Sequence, residues 1–516
     1  MVLCCLPGGP AHAQAPGPVS ITVHAGSPSG PAGLELIGFD WNTASLDGVA
    51  PLAPRTVRID ASLEEASSGP DSLDLTDLLA RVAAVRAVGA EPIVILSYMP
   101  EWLGAPEAHG RDFRRVPPAD PEAWEGLIET VVHTLATAPA PAFRFEVWNE
   151  PDNPIFWQDL PTAFVDMAVR THRAVAAVAT DTGLALQVGG PATLVPDPVF
   201  VVPYVNAMKS NYLPLDFLSW HYYGNTPFFG PDGAEDLLPP ELLPLYTVLG
   251  RPNPLTSPSV YSGQVEFMRA LRDALVTGSD LHPILTIDEW NLSAGGFDNR
   301  HDTNEGAAFV AGALIEMERS GLDESDFYRA AATVDPAHTG DWGIVDAAGQ
   351  RKPSWSVFDM WNRAGDTRLV TEGDDPRSGL WARGSSDGTS LNVLLASWDP
   401  RGGTDRTATV HVGSGCSGKA EVHTIDSQSP SFDATVPVPV TEGAVTVDLS
   451  SQSVVWLSVP LACATAAIAT GERTLAETGS SGAVGGVLVL LVVVLAVRRV
   501  VGGATFVELE GEGAAT

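Results

Sequence analysis

FRFEVWNEPDNPIFW, residues 143–157, is the stretch that indicates the fold. Its first half alternates apolar and charged side chains, which is typical of a β-strand. Pro151 cannot donate to a sheet ladder, so the strand should end at Glu150. The strand therefore finishes on an aromatic, an amide and a carboxylate (Trp148, Asn149 and Glu150), where a core strand would finish on a turn residue. Side chains of this kind at a strand end predict a site.

Seven more strand-like runs flank this stretch, and amphipathic helical runs lie between most of them. Eight β/α units in a segment of this size predict a TIM-type (β/α)8 barrel over residues 18–365. An open, doubly wound sheet is the alternative, but no phosphate-binding loop favours it. The predicted strands are 34–42, 55–62, 91–100, 143–150, 184–192, 216–224, 283–291 and 325–333.

The composition changes after the barrel. Residues 366–461 contain short strands separated by Gly, Asp and Ser turns, which predicts an all-β sandwich domain. Residues 413–418 match the G-x-G-x-x-G pattern, but a strand follows them instead of a helix, so we expect a hairpin turn there. Residues 462–474 should be a linker.

The bulk composition excludes some classes of partner. The chain has 516 residues, which is too long for a single hydrophobic core, so we expect more than one domain. Its net charge of -34 argues against binding nucleic acid. The four cysteines form no CxxC pair and no cluster with zinc-ligand spacing. Cys416 and Cys463 could form a disulfide if the protein is exported.

Both ends of the chain carry targeting patterns. Residues 1–15 hold a short apolar run and an Ala-x-Ala pattern, which resembles a truncated secretory signal peptide; an apolar tail is the alternative. Near the other end, LAETG precedes an uncharged apolar run from Gly479 to Val497 and then Arg498 and Arg499. This run has the length and flanking charge of a transmembrane helix.

That C-terminal order resembles a Gram-positive sortase sorting signal with Ala in place of Pro, over residues 475–499. The resemblance implies cleavage between Thr478 and Gly479 and attachment to cell-wall peptidoglycan. A simple transmembrane anchor is the alternative, and residues 500–516 would then be a cytoplasmic tail, longer than such signals usually have. Either interpretation predicts an extracellular protein held at the cell wall or membrane.

Polar and aromatic side chains gather where the predicted barrel strands end. Strand 4 ends at Glu150, strand 7 at Glu289 and Trp290, and strand 6 at His221 and Tyr223. Chemistry in a (β/α)8 barrel takes place at this rim. Two glutamates among aromatic rings suit glycoside hydrolysis, in which one carboxyl group protonates the leaving oxygen and the other attacks or activates water. Parity places the side chains of Arg144, Glu146, Trp148 and Glu150 toward the barrel interior.

The motifs VWNEPD…FW and IDEWN, with WGIVDAAGQRKPSWSVFDMW after them, are similar to glycoside hydrolase family 39, whose members include β-xylosidases and α-L-iduronidases. The resemblance covers roughly residues 30–365 and implies a retaining clan A enzyme. It implies that Glu150 is the general acid/base and Glu289 the nucleophile. The implied substrate-binding residues are Asn149 on the sugar 2-hydroxyl, Arg58 bracing the nucleophile, and His221, Tyr223, Trp148, Trp102, Trp290 and Trp342.

A retaining mechanism has physical requirements. The pKa of Glu150 should be raised by burial and by the charge of Glu289, and the two carboxyl groups should lie about 5–5.5 Å apart. No cofactor and no metal are expected, and the partner is an oligo- or polysaccharide. Another clan A enzyme, such as an endo-glucanase or mannanase, and a non-catalytic carbohydrate-binding surface protein are the alternatives. The sugar, the linkage and exo or endo action are not readable from the residues.

Overall fold

The computed structural model describes residues 18–41, 45–104, 112–224, 237–244, 246, 257–332, 339–400, 403, 405–431 and 434–465. The predicted signal peptide, sorting signal and transmembrane run lie outside these ranges. Within them, no helix combines the length and apolarity needed to cross a bilayer.

The described strands and helices, in chain order, have the following bounds. The strands are β1 (Val19–Pro31), β2 (Gly38–Asp40), β3 (Thr56–Asp60), β4 (Ser67–Gly69), β5 (Ser72–Leu73), β6 (Glu91–Leu96), β7 (Arg144–Val147), β8 (Gln187–Thr193), β9 (Phe217–Tyr223), β10 (Ile284–Asn291), β11 (Glu324–Phe327), β12 (Thr367–Glu372), β13 (Leu380–Ser386), β14 (Ser390–Trp398), β15 (Arg406–His411), β16 (Gly418–Ile425), β17 (Val436–Val440), β18 (Ala444–Leu449) and β19 (Gln452–Pro460). The α-helices are α1 (Leu63–Ala66), α2 (Thr76–Ala87), α3 (Pro121–Ala136), α4 (Pro161–Thr182), α5 (Pro198–Asn211), α6 (Val260–Val276), α7 (Asn304–Ser320) and α8 (Pro353–Arg363).

Eight parallel strands close into a barrel in the order β10-β11-β2-β3-β6-β7-β8-β9. Each of the eight predicted strands has its counterpart in this barrel, so the predicted (β/α)8 fold is confirmed. Most strands are shorter than predicted. β7 ends at Val147 because Trp148 and Glu150 adopt left-handed backbone conformations, with φ of 67° and 42°, which a strand cannot contain.

The helices begin and end where local chemistry allows. Asp120 caps α3 by accepting from the backbone N–H groups of Glu122 and Ala123, and Pro121 occupies the first turn. Helix α4 also begins with a proline and ends at Gly183 in the left-handed conformation. The apolar faces of these helices pack on the barrel strands and build the main hydrophobic core.

The β-domain contains a strand that we assigned to the barrel. Its nine strands form one sheet in the order β17-β16-β19-β14-β13-β12-β1-β15-β18, around a second hydrophobic core. β1 pairs with β12 and β15, so residues 19–31 belong to this domain. Alternating residues predict a strand but not its distant partners, which is why the assignment failed.

The loop between β15 and β16 carries the glycine-rich pattern 413–418. The expected hairpin is wrong, because β15 pairs with β1 and β18 while β16 pairs with β17 and β19. Cys416 in this loop forms a disulfide with Cys463, which is 47 residues further along the chain. The bond ties the loop to the segment that leaves β19.

Helix α7 joins the two domains by packing on β14 and β19. Glu318 near its end accepts three hydrogen bonds from the guanidinium of Arg383 on β13. It also accepts from the backbone N–H of Gly33 at 2.8 Å. Glu316 accepts from the indole of Trp381 at 2.7 Å. These buried contacts attach the sheet to one side of the barrel.

Candidate active site

Arg58 on β3 organises the carboxyl end of the barrel. Its Nε donates to Glu146 Oε2 at 2.6 Å, and its Nη1 donates to Asp40 Oδ1 at 3.0 Å and to Glu289 Oε2 at 3.1 Å. Its Nη2 donates to Asn149 Oδ1 at 3.0 Å. One guanidinium thus holds side chains from three other strand ends, and Glu289 receives the brace that the motifs predicted.

Glu150 lies directly after β7, in a buried position. Its Oε1 lies 3.0 Å from His221 Nδ1, and its Oε2 accepts from Asn153 Nδ2 at 2.7 Å. Burial raises the pKa of Glu150 to about 7, and the Asn153 hydrogen bond and Arg58 only partly oppose this. The raised pKa and the contribution of burial agree with expectation, whereas the charge of Glu289, which was also expected to contribute, is not among the causes.

Glu289 on β10 faces the same space as Glu150. Tyr223 donates its hydroxyl to Glu289 Oε1, and Arg58 donates to Oε2. The carboxylate is therefore held by two donors, which fix its orientation. One oxygen of Glu289, one of Glu150 and a ring nitrogen of His221 all lie within 4.8 Å of one another.

His221 on β9 is fully buried between the two glutamates. Its Nδ1 lies 3.0 Å from Glu150 Oε1 and 3.6 Å from Glu289 Oε2. Burial lowers the pKa of His221 to about 4, so the imidazole is neutral at pH 7. A neutral ring can accept a proton at one nitrogen and donate from the other, which suits a group that orients a carboxyl.

A second layer of carboxyl groups lies behind this pair, and the sequence motifs did not single it out. Glu146 accepts from Arg58 and from Ser219 Oγ at 2.6 Å. Burial raises the pKa of Asp40 and Asp288 well above the usual range and that of Asp326 to about 7. All four acids lie on barrel strands, and that position is the signal that could have found them.

A cavity of about 570 Å³ opens beside Glu289. Asn149 and Arg58 line it near the reactive end. Because Asn149 gives its oxygen to Arg58, its Nδ2 is the group that can donate to a ligand. Four aromatic residues complete this part of the wall: Trp41, Tyr98, Phe156 and Tyr328. None of them was among the predicted binding residues. The other end of the cavity is acidic, with Asp60, Glu65, Asp74 and Asp77 beside Arg81.

The predicted tryptophans do not line this cavity. Trp148 is completely buried, and its ring packs edge-on against Tyr98 and Trp157. The parity argument failed for Trp148 because the strand ends before it. Trp290 is also completely buried, packed against Phe327.

The other two predicted tryptophans lie further from the glutamates. Trp102 donates its indole N–H to Ser67 Oγ at 3.1 Å, away from the reactive groups. Trp342 is half-buried and meets Tyr328 edge-on at 5.5 Å. Trp342 thus packs against Tyr328, which lines the cavity, and does not line the cavity itself. Burial and loop geometry, not residue type, decide which aromatic rings face a ligand.

The cluster of Glu150, His221 and Glu289 has a spacing that could also hold a metal ion. Arg58 already places a positive charge 3.1 Å from Glu289 Oε2, where a metal ion would have to bind.

Comparisons with known proteins agree with this geometry. Residues 64–232 match the model of glycosyl hydrolases family 39. These residues are therefore similar to that family. The matched segment includes Glu150 and His221, whereas Arg58 and Glu289 lie outside it. The chain is 24% identical over 301 residues to a beta-xylosidase of Caldicellulosiruptor saccharolyticus and 26% identical over 310 residues to a beta-xylosidase of Geobacillus stearothermophilus. These matches cover 56% and 57% of this chain and 56% of each relative.

Solved glycosidase structures share the fold over most of the chain. A monomeric beta-xylosidase from Caulobacter crescentus CB15 has a TM-score of 0.64 at 19% identity, over 86% of this chain and 99% of that one. A GH39 enzyme from Xanthomonas axonopodis pv. citri has a TM-score of 0.63 at 18% identity, over 88% and 99%. A glucosidase from Croceicoccus marinus also has a TM-score of 0.63, at 19% identity over 86% and 99%.

Proposed function

We propose that this protein is a retaining glycoside hydrolase with β-xylosidase-like activity. The observation that carries the proposal is the pair of strand-end glutamates, whose carboxylate oxygens lie within 4.8 Å of each other. Retaining glycosidases have carboxyl groups about 5–5.5 Å apart, whereas inverting enzymes need about 6.5–9.5 Å to admit a water. The similarity to family 39 supports the same reaction class.

The first step forms a covalent glycosyl-enzyme. Glu289 Oε attacks the anomeric carbon while the bond to the leaving oxygen breaks, and Glu150 donates its proton to that oxygen. Glu150 holds the proton near neutral pH because its pKa is raised to about 7. Arg58 and Tyr223 keep Glu289 oriented before the attack.

The second step releases the sugar. Glu150 is a carboxylate once it has given its proton to the leaving group, so it can take a proton from water. That water attacks the anomeric carbon, the bond to Glu289 breaks, and the sugar leaves with its original configuration. Asn149 Nδ2 lies where it can donate to a sugar hydroxyl through both steps.

The charge of the cavity supports a neutral sugar. Asp60, Glu65, Asp74 and Asp77 line one end, and Arg81 there is already bound to Asp77 at 2.7 Å. A uronide would place a further carboxylate in this acidic space, which repulsion disfavours. Within the family's range of substrates, this favours xylosides over uronides.

Hydrolysis of a panel of aryl glycosides tests the proposal. We expect release from β-xylosides above glucosides, galactosides, arabinosides and uronides, with NMR showing the β-anomer as first product. Glu289→Gln should reduce kcat about 10⁴-fold or more, while the exposed-helix control Glu129→Gln should match wild type. Wild-type protein that hydrolyses none of the panel, or an α-anomer as first product, would reject it.

We also propose that the enzyme works outside the cell, attached near its C-terminus. The Cys416–Cys463 disulfide supports an oxidising location, and the LAETG pattern supports wall attachment through Thr478. Cell fractionation tests this: Thr478→Ala should move the protein from the wall fraction to the membrane fraction. An unchanged distribution would favour a simple membrane anchor.

A further inference from the structure

Asp288 is a buried carboxyl group at the reactive end that the proposed reaction does not use. It precedes Glu289, and alternation would send the two side chains to opposite faces of β10. The pairing of β10 with β9 slips between Ile287 and Glu289, so Asp288 is an extra residue at a bulge. Both side chains therefore reach the barrel interior, and that of Asp288 is completely buried.

The surroundings of Asp288 provide no ordinary donor. Among the described residues, neither of its oxygens accepts a hydrogen bond from an N–H or a hydroxyl group. His221 Nε2 lies 3.6 Å from Oδ1, and Arg58 Nε lies 3.9 Å from Oδ2. Glu146 is in hydrogen-bond contact with Asp288. A bare buried carboxylate in this position would be strongly unfavourable.

Charge balance leads to the same conclusion. Arg58 faces four carboxyl groups, those of Asp40, Glu146, Asp288 and Glu289. They cannot all be ionised around one buried cation. Glu146 accepts hydrogen bonds from Arg58 and Ser219, and Glu289 accepts from Arg58 and Tyr223. Asp288 lacks such donors, so it is the group best suited to carry a proton.

We propose that Asp288 is a protonated positioning residue for the hydrolysis proposed above. Its O–H donates to Glu146, and its carbonyl oxygen accepts from His221 Nε2–H. This selects the imidazole tautomer whose Nδ1 accepts the O–H of Glu150, and so aims the acid. The groups facing Asp288 are Arg58 on β3, Glu146 on β7, His221 on β9 and Asp326 on β11.

The consequence is a hydrogen-bonded chain between the two reactive glutamates. It runs from Glu150 through His221, Asp288, Glu146 and Arg58 to Glu289. Burial and the neighbouring Glu146 raise the pKa of Asp288 well above its usual range, which is consistent with a retained proton.

Two substitutions at position 288 test the role. Asp288→Asn keeps one donor and one acceptor in the same shape, so kcat should stay within about threefold of wild type with the same basic limb in the pH profile. Asp288→Leu removes both hydrogen bonds, so kcat should fall about 100-fold through misorientation, with KM nearly unchanged. If Asp288→Asn loses as much as Asp288→Leu, the residue acts as an anion and the proposal is wrong.

An infrared measurement separates this proposal from the proposed function. With ¹³C-labelled aspartate, the wild-type protein at pH 7 should show a protonated-carboxyl C=O band that Asp288→Asn lacks. Identical spectra would overturn the proposal, whether or not the protein hydrolyses any glycoside. The band also remains measurable if Asp288→Leu does not fold.

Discussion

Two arginines with equally buried side chains, each 1% exposed, occupy very different surroundings. Arg383 in the β-domain meets one carboxylate, Glu318, through three hydrogen bonds of 2.9 to 3.0 Å, and its guanidinium lies 4.0 Å from the ring of Trp361. Its charge is balanced and its geometry is bidentate, which is the arrangement of a structural ion pair.

Arg58 in the barrel instead faces more carboxyl groups than it can neutralise. The surplus must be held as neutral acids, and neutral acids near pH 7 can donate protons. The buried arginine whose charge is balanced thus joins the two domains, whereas the arginine that faces surplus carboxyl groups lies in the candidate active site. The predictions that follow test this difference.

The largest effect should come from removing each arginine in turn. Arg383→Met leaves Glu318 buried without its cation, and we expect a loss of about 3–5 kcal/mol in the free energy of unfolding. The folded fraction should keep wild-type kcat/KM within about twofold, because no reactive group is touched. Arg58→Met should reduce kcat/KM about 10³-fold, since Glu289 and Asn149 lose their common donor. Denaturant titration and kinetics measure both.

The loss in the free energy of unfolding caused by Arg58→Met should also grow as pH rises. In acid, the carboxyl groups left without their cation can take up protons, which removes their unpaired charge. In Arg383→Met the loss in the free energy of unfolding should vary less with pH, because only one carboxyl group, that of Glu318, is left without its cation. Equal activity losses in the two variants would remove the distinction between the sites.

The next effect concerns the acid. Glu150 donates its proton only below its raised pKa of about 7, so kcat/KM should decline above about pH 7. Glu150→Gln should abolish that limb and lower kcat/KM about 10²–10⁴-fold for alkyl glycosides. The reduction should be smaller for nitrophenyl glycosides, whose leaving group needs no proton. A limb that persists in Glu150→Gln would assign it to another group.

A smaller effect concerns stability against pH. Asp60, Glu150 and Asp326 have pKa values raised to about 7. The folded state therefore holds protons that the unfolded chain releases, and this stabilisation is lost as pH rises through 7. The lowered pKa values of His172 and His221, about 4, act oppositely but only below about pH 6.5. Between pH 6.5 and 8.5 the free energy of unfolding should fall by roughly 1–3 kcal/mol.

Thermal denaturation at a series of pH values measures this slope. Asp60→Asn is the matched variant, because an amide oxygen can still accept from the Ser62 N–H that Asp60 binds at 2.7 Å. It should reduce the slope by about a third if the three groups contribute alike. A free energy of unfolding that rises between pH 6.5 and 8.5 would mean that these three carboxyl groups do not hold protons in the folded state.

The smallest effect separates two aromatic residues. Phe156 lines the cavity and stacks on Tyr98 at 6.0 Å, so Phe156→Ala should raise KM about tenfold. Trp102→Ala should leave KM within about twofold, because Trp102 contacts Ser67 and not the cavity. A larger KM change in Trp102→Ala would restore that residue to the binding site.

Much of the site was accessible from residues alone. Glu150 and Glu289 stood at the ends of two predicted strands, and a barrel brings such ends together whatever its sequence. Arg58, His221 and Tyr223 came through resemblance, and the structure places all three in contact with a glutamate. Asp40, Glu146 and Asp288 were assigned no role, because a buried acid and an exposed one look the same in a sequence.

The sequence by itself determined the eight alternating units, the change to a β-rich segment, and the two glutamates at strand ends. Periodicity and strand-end chemistry are local, so neighbouring residues reveal them. Only the tertiary structure placed β1 in the distant sheet, turned Trp148 and Trp290 into the core, and brought Asp288 inward through a bulge. It also made burial the cause of the raised pKa of Glu150. Strand pairing, burial and charge balance depend on residues far apart in the chain, which no local pattern records.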